Sequence, residues 1–361
     1  MAIRKIKPYN GNKFYNGNNL LSHGSTWNAI IGRRSNGKSF WWLQLFLIEY
    51  FEKGVQFAYV RRQDNETKKQ KVDEYFSDQN LCDWLQKCYG FEGIVADKGE
   101  LWLYDRNENG KIVKHEKCGN VFAVSVARTY KSLHFDKIGN ILYEEFITDG
   151  AYLADEWKNF NSIISTILRL RSGRIVLIGN TIARNCPYFT EMGVDIMRLK
   201  QGTITDIDHI QSDGNKVSFS VEYTQDIEQK NKVFFGKAEK SINAGYWETE
   251  DYPHLFFKME DAELLYKFYY IEGQFCFRGN LLSYQDHLYL YWYPYDQEKL
   301  QWNSQDDIFF KDFTTKDNVY NAARKKRHDK IWPIFEKEKV LFSDNLCGTE
   351  LMSCLDRFNP F

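Results

Sequence analysis

Residues 32–39 read GRRSNGKS and follow the short apolar run NAII at residues 28–31. The octapeptide fits the pattern G-x-x-x-x-G-K-[ST], in which glycines let backbone N–H groups turn inward around a phosphate. The lysine of this pattern neutralises phosphate oxygens, and the final hydroxyl binds Mg²⁺. NAII predicts a strand, and residues 39–52 predict a buried helix that Gly54 ends. The context therefore favours a phosphate-binding loop over a plain strand–turn–helix. The phosphate-binding prediction covers Gly32, Arg33, Arg34, Ser35, Asn36, Gly37, Lys38 and Ser39.

Two adjacent carboxylates end the apolar run GNILYEEF at residues 139–146. Enzymes with this kind of loop hold Mg²⁺ with an acidic residue and use a second group to orient the attacking water. Glu144 fits the metal role and Glu145 fits the catalytic role. Asp is the usual residue at the first position, so Glu144 is a departure from the pattern. The alternative is a carboxylate pair at a strand end that simply faces solvent.

The next apolar run, RIVLIGNT at residues 174–181, predicts a further buried strand with Asn180 at its polar tip. Asn180 would sense a γ-phosphate, although Gly-Asn is also an ordinary turn sequence. Arg169, Arg171 and Arg174 cluster just before this strand. In ring ATPases an arginine stabilises the transition-state charge at a neighbouring subunit. Cations near a helix C-terminus are the alternative interpretation of this cluster.

The pattern of predicted strands and helices changes along the chain. Up to about residue 200, strands alternate with helices, which predicts an α/β fold with a mainly parallel sheet. Residues 111–116 and 120–127 are predicted as separate strands, and residues 151–170 as one helix. Beyond about residue 205 the strands are of an antiparallel kind, starting with KVSFSVEY at residues 216–223. We therefore expect one domain over residues 1–203 and a smaller α+β domain over residues 204–361.

Composition sets wide limits. The 361 residues are 43% hydrophobic and 27% charged, which is typical of a globular protein of about two domains. The net charge of −1 means that binding to nucleic acid would need a local basic face. Seven cysteines, an odd number with no C-x-x-C pair, predict reduced packing residues. The most apolar run, residues 40–51, is too short to span a membrane, so we expect no membrane partner.

Three pieces together resemble one family: GRRSNGKS, YEEFI at residues 143–147, and R-x-R-x-x-R-I-V-L-I-G-N at residues 169–180. They look like the DNA-packaging ATPases of tailed phages, the terminase large-subunit class. They resemble in particular the short encapsidation ATPases of small podophages with protein-capped genomes. CPYF at residues 186–189 adds to this likeness, which covers about residues 25–195.

The resemblance implies an additional-strand catalytic-glutamate P-loop domain that binds ATP and Mg²⁺. Lys38 and Ser39 would then bind phosphate and metal, Glu144 would support the metal, and Glu145 would be the catalytic glutamate. Arg169, or secondly Arg171, would act on the neighbouring subunit. The implied activity is ATP-driven translocation of double-stranded DNA into a procapsid.

The family also implies partners and a location. It implies a homomeric ring, a pentamer, on the capsid portal or connector; whether a packaging RNA takes part stays open. The protein would act in the host cytoplasm, transiently on the procapsid, and would be absent from the mature virion. The basic runs at residues 61–71 and 323–328 would contact DNA, with solvated helix faces as the alternative.

For the second half, the resemblance implies an RNase H-like domain that has lost nuclease activity. Asp226, Asp286 and Asp317 are its scattered candidate acids. Two other functions remain open at this point: another additional-strand DNA translocase or helicase, and a nucleotide-switched scaffold that turns over slowly. Glu145 argues against the scaffold, because a pure switch needs no positioned base.

Overall fold

A computed structural model of the chain describes residues 6–225, 227, 232–300, 307–310 and 339–356. The chain forms two compact units. The first comprises Met1–Ile182 and Cys186–Trp247, and the second comprises Ala183–Asn185 and Glu248–Phe361.

The first unit is built around one large sheet. Its strands are β1 (Trp27–Gly32), β2 (Gln56–Arg61), β3 (Gly93–Asp97), β4 (Glu100–Arg106), β5 (Ile112–Ala123), β6 (Ile138–Glu144), β7 (Arg174–Asn180), β8 (Thr203–Ile210) and β9 (Lys216–Tyr223). The nine strands lie in the order β3-β4-β5-β2-β6-β7-β1-β9-β8. Every pair from β5 across to β9 is parallel, and the outer pairs β3–β4, β4–β5 and β8–β9 are antiparallel. This confirms the α/β fold with a mainly parallel sheet.

Helices connect these strands. They are α1 (Asn18–Ser22), α2 (Lys38–Lys53), α3 (Lys69–Phe76), α4 (Gln79–Tyr89), α5 (Glu156–Leu168), α6 (Pro187–Glu191) and α7 (Gly236–Ala244), with 3₁₀ turns at Asp64–Thr67 and Val124–Tyr130. Helix α2 buries most of its apolar residues, including Trp41, Trp42 and Phe46. Gly54 ends α2 in a left-handed conformation with φ of 71°, as its sequence position predicts.

The domain boundary expected at residue 203/204 is wrong, because the first unit runs on to Trp247. Strand β9 pairs in parallel with β1, and Phe219 stacks on Trp27 with 5.1 Å between ring centres. The KVSFSVEY segment therefore extends the first sheet. The change to an antiparallel pattern beyond residue 205 marks the antiparallel edge strands of that sheet and not a new domain.

Two local predictions also need correction. Residues 112–123 form the single strand β5, because Gly119 is a point of close approach and not a turn: a Cβ there would lie 2.4 Å from the Phe57 carbonyl oxygen. The residues that follow form a 3₁₀ turn. The helix predicted from residue 151 begins only at Glu156, because Asp155 adopts a left-handed conformation with φ of 55°.

The second unit has its own sheet. Its strands are β10 (Glu263–Glu272), β11 (Phe275–Tyr284), β12 (His287–Pro294), β13 (Asp307–Phe310) and β14 (Val340–Phe342). They lie in the order β13-β10-β11-β12-β14, with an antiparallel centre and parallel pairs at both edges. Helix α8 (Asn345–Asp356) contacts β12 and β14, and 3₁₀ turns lie at Met259–Asp261 and Gln297–Lys299.

Among the described residues, no helix is both long and apolar enough to cross a bilayer. All seven cysteines are free, and five of them are buried.

Candidate functional site

The GRRSNGKS stretch forms the predicted loop between β1 and α2. Gly32 ends β1, and a Cβ at this position would lie 1.9 Å from the Thr224 hydroxyl oxygen, so only glycine fits. Gly37 has φ of 92°, a conformation that glycine adopts without strain, and it precedes the first residue of α2. The N-cap residue Gly37 has no side chain to cap α2, and Asn36 Oδ1 accepts from the Lys38 N–H at 3.2 Å. Backbone N–H groups and the helix dipole make such an end a favourable place for an anion.

The Lys38 side chain is buried and folds back over the loop. Its ammonium lies 2.6 Å from the Arg33 carbonyl, 3.3 Å from the Gly32 carbonyl and 3.2 Å from Asn36 Oδ1. It also lies 3.3 Å from Asn180 Oδ1, which joins the predicted sensor residue to the loop. Burial lowers the pKa of Lys38 to about 7, although the negative charge of Glu144 opposes this shift. A phosphate bound at the loop would offset the desolvation of this ammonium.

Glu144 lies beside Ser39 at the start of α2. Glu144 ends β6, is buried, and accepts a hydrogen bond from the Tyr75 hydroxyl at 2.9 Å. Burial raises the pKa of Glu144 above its ordinary value, and the nearby Ser39 side chain opposes this rise. A hydroxyl and a carboxylate are hard oxygen ligands of the kind that Mg²⁺ takes. The pair therefore fits a magnesium site beside the loop.

Glu145 differs from Glu144 in exposure and in backbone conformation. Its side chain is 56% exposed, and its backbone has φ of 59°, which is uncommon for a residue with a Cβ. Arg61, at the end of β2, donates to Glu145 Oε2 at 2.6 Å and to Glu66 Oε1 at 2.5 Å. The negative charge of Glu145 contributes to raising the pKa of Arg61 against the effect of burial. Glu145 is thus held at the surface by a fixed cation.

These groups lie together because the parallel strands end side by side. We call the carboxyl-terminal ends of these strands the carboxyl edge of the sheet, and their amino-terminal ends the amino edge. Gly32 of β1 pairs with Asn180 of β7, and Glu144 of β6 pairs with Ile178 of β7. The structure therefore brings together the loop, the acidic pair and Asn180, which are far apart in sequence.

The three arginines lie at the other edge. Arg174 begins β7, so about 20 Å of strand separates it from Asn180. Arg171 donates to the carbonyls of four residues, and Arg174 pairs with Glu49 at 2.8 Å. The four carbonyls that Arg171 contacts belong to Phe135, Asp136, Ile138 and Ile167. Arg169, at the C-terminal end of α5, donates to the exposed Leu133 carbonyl at 3.1 Å. The structure does not bring these arginines to the loop of their own chain.

Other residues have roles that the sequence did not indicate. Arg61 and Arg62 open the basic run predicted to contact DNA, but the first binds Glu145 and the second is buried against Glu156. Their position directly after a buried strand is the signal that could have identified them. Arg33 and Arg34 were predicted alike as loop residues. Arg34 is exposed, whereas Arg33 is buried and donates to the Asn243 carbonyl at 2.9 Å.

Several predicted residues fall elsewhere. Asp226, Asp317 and the basic run at residues 323–328 lie outside the described residues. Asp286 sits with Gln285 in the two-residue turn between β11 and β12, where both have positive φ. It therefore lies at a hairpin tip and not within the sheet.

Comparison with known proteins places this site in context. The family model for podovirus DNA encapsidation proteins (Gp16) matches residues 10–198, which is more than half of the chain and includes the loop, Glu144, Glu145 and Asn180. The DNA packaging proteins of Bacillus phages PZA and phi29 are each 30% identical to this chain over 181 residues, which is 49% of this chain and 49% of each relative. The matched region thus spans about half the length of these curated relatives.

Two solved structures share the fold. The bacteriophage Phi-29 viral genome packaging motor assembly has a TM-score of 0.53 and 17% identity, covering 96% of this chain and 100% of that one. The Phi-28 gp11 DNA packaging motor has a TM-score of 0.51 and 17% identity, covering 97% and 99%. On the match to the family model, this chain belongs to the podovirus DNA encapsidation protein (Gp16) family.

Proposed function

We propose that this chain is an ATPase and that its hydrolysis of ATP drives double-stranded DNA into a viral procapsid. One observation carries the ATPase part: Lys38, Ser39, Glu144, Glu145 and Asn180 converge at the carboxyl edge of one parallel sheet. Membership of the encapsidation family supports the packaging part.

Each residue has a defined task in this proposal. The loop N–H groups and Lys38 hold the β- and γ-phosphates, and Asn180 reads whether the γ-phosphate is present. Ser39 and Glu144 would hold Mg²⁺, which supplies neutralisation of phosphate charge when bound. Glu145 orients the attacking water and accepts its proton, because its exposed carboxylate stands at the end of β6 next to the metal-binding group.

Strand order supports the additional-strand class that the resemblance implies. Strand β7 lies between the loop strand β1 and the acidic strand β6. A neighbouring subunit would complete the site with an arginine, so we propose a ring of identical chains, a pentamer by resemblance. Arg169 is the better candidate, since Arg171 is held by carbonyls of its own chain.

The remaining parts of the proposal concern partners. The exposed lysines of the run after β2, Lys68, Lys69 and Lys71, are DNA-contact candidates on the channel face. The ring would sit on the capsid portal in the host cytoplasm, be absent from the mature virion, and need no membrane. The need for a packaging RNA remains open. For the second unit we propose an RNase H-like domain without nuclease activity.

Steady-state ATP hydrolysis with and without long double-stranded DNA tests the function. We expect DNA to stimulate turnover and Glu145→Gln to abolish it while nucleotide still binds. The matched control is Glu108→Gln, which removes the same charge from an exposed turn and should leave turnover unchanged. Turnover that ignores both DNA and Glu145→Gln would refute the motor and favour a nucleotide-switched scaffold.

Mixing two inactive variants tests the arginine. Lys38→Met chains cannot hold phosphate but still offer Arg169 to a neighbour, and Arg169→Ala chains have the opposite defect. If Arg169 acts between subunits, the mixture recovers part of the activity that each variant lacks alone. No recovery at any ratio, with ring formation intact, would remove Arg169 from this role.

A further inference from the structure

A second carboxylate, that of Glu156, is buried close to the acidic pair. Glu156 is the first residue of α5, and its side chain is 1% exposed. Both of its oxygens lie 3.1 Å from Arg62 Nε. Oε1 also accepts from the hydroxyls of Tyr143 at 2.8 Å and Tyr188 at 3.0 Å, and Oε2 accepts from the Leu153 N–H at 2.9 Å. Four donors thus contact this carboxylate, and the Tyr188 hydroxyl also lies 3.4 Å from the Tyr143 hydroxyl.

Arg62 is equally well engaged. Its second contact runs from Nη2 to the Phe146 carbonyl at 2.8 Å, and its guanidinium carbon lies 4.9 Å from the centre of the Tyr152 ring. A buried ion pair is favourable only when hydrogen bonds of good geometry satisfy both partners. Glu156 meets this condition at both oxygens, and Arg62 meets it at Nε and Nη2, so the geometry of the pair is well defined.

The network is linked through the backbone to each group of the acidic site. Arg62 follows Arg61, which binds Glu145, and Tyr143 precedes Glu144 in β6. Adjacent residues of a strand point to opposite faces of the sheet. Tyr143 therefore reaches Glu156 on one face, while Glu144 meets Ser39 and Tyr75 on the other.

Glu145 itself occupies a backbone conformation that needs support. Its φ of 59° costs free energy, and such a conformation persists only when the chain around it is fixed. Before it, Tyr143 is tied to Glu156; after it, Phe146 receives a hydrogen bond from Arg62 at its carbonyl. The Phe146 N–H also donates to the Ile178 carbonyl at 3.2 Å.

We propose that Glu156 is a positioning residue for Glu144 and Glu145, acting through Arg62 and Tyr143. The inference rests on the proposed ATPase function. It adds to that function a hydrogen-bond network that supports the two carboxylates from the face of the sheet opposite to Ser39. Glu156 does not touch nucleotide; it sets where the two carboxylates stand.

Two tyrosines provide a matched test. Tyr143 and Tyr188 are both fully buried, and both donate to the same oxygen of Glu156. Only Tyr143 lies in β6, next to Glu144; Tyr188 lies in α6. Replacing either by phenylalanine removes one hydroxyl and keeps the ring.

We expect Tyr143→Phe to lower kcat about tenfold and to leave the KM for ATP and the affinity for nucleotide within about twofold, as misplaced catalytic groups do. We expect Tyr188→Phe to keep kcat within about twofold of the wild type. Both variants should lose similar thermal stability, so activity is measured well below both melting temperatures. Arg62→Lys, which cannot contact Glu156 and Phe146 with one planar fork, should behave like Tyr143→Phe.

The outcomes separate the two levels of the argument. Equal kcat values for Tyr143→Phe and Tyr188→Phe, beside an active wild type, overturn the positioning role and leave a purely structural network. If kcat and nucleotide affinity fall together in Tyr143→Phe, the network supports the whole carboxyl edge, including the phosphate-binding loop, and the inference is also wrong. A wild type without turnover would overturn the proposed function itself.

Discussion

The two edges of the nine-stranded sheet both carry strong charges, but they use them differently. At the carboxyl edge, Lys38 rests on loop carbonyls and on Asn180, beside the N-terminus of α2. At the amino edge, Arg171 is saturated by backbone carbonyls and Arg174 is paired with Glu49. Both cations contact oxygen atoms, but they lie at opposite ends of helices. Lys38 begins α2, whose N-terminal N–H groups leave a place for an anion, whereas Arg171 donates to the Ile167 carbonyl at the C-terminal end of α5.

The difference shows that charge density alone does not mark a site. The arginines of the amino edge are conspicuous in sequence, but two of them stabilise the chain that carries them. The carboxyl edge combines cations with glycine-rich backbone, and this combination is what a phosphate needs.

The largest expected effect comes from removing the ammonium at the carboxyl edge. Lys38→Met should weaken nucleotide binding at least 100-fold, about 3 kcal/mol, because the phosphates lose their only neutralising contact from α2. The matched variant at the amino edge is Arg174→Met, which should leave affinity unchanged. Equilibrium binding of a fluorescent ATP analogue measures both, and equal losses would contradict the distinction between the edges.

At the amino edge, the expected effect is on the free energy of unfolding and not on nucleotide affinity. Arg171→Ala should lower the free energy of unfolding by about 2 kcal/mol, since four carbonyls lose a charged donor and solvent replaces part of the loss. Arg169→Ala, which removes one exposed contact, should change it by less than about 0.5 kcal/mol. Urea unfolding compares them, and a harmless Arg171→Ala would show that these hydrogen bonds are not structural.

Sequence spacing was sufficient for one half of this comparison. The loop, the helix after it and the acidic strand end follow from local patterns, but the contact between Lys38 and Asn180 also requires β7 to lie beside β1. The contact of Arg61 with Glu145 depends on β2 lying beside β6, and spacing does not reveal strand order.

The domain boundary failed for a related physical reason. Strands β8 and β9 alternate with period two, and that period is the same in a new sheet as at the edge of an existing one. Only the pairing of Phe219 with Trp27 decides between them.

Burial of Lys38 should also make the stability of the protein depend on pH. Burial lowers the pKa of Lys38 to about 7, whereas in the unfolded chain it is about 10.4. Between these values the unfolded state binds the extra proton, so stability without nucleotide rises with pH by up to about 1.4 kcal/mol per unit. Below pH 7 both states are protonated and the slope vanishes. The free energies of unfolding of the wild type and of Lys38→Met should diverge as the pH rises from 7 to 9. An equal pH dependence in the two proteins would contradict the lowered pKa of Lys38.

The smallest expected effect concerns Asn180. Its amide oxygen is one of several oxygen atoms around the Lys38 ammonium and lies at 3.3 Å, one of the two longest of these contacts. Asn180→Ala should therefore leave nucleotide affinity within about twofold and lower kcat about fivefold, because reading the γ-phosphate matters only during hydrolysis. The control is Asn140→Ala at the other edge, where the amide contacts Glu49. Affinity that falls as far as kcat in Asn180→Ala would make Asn180 a binding residue, and the carboxyl edge would then lack a separate sensor.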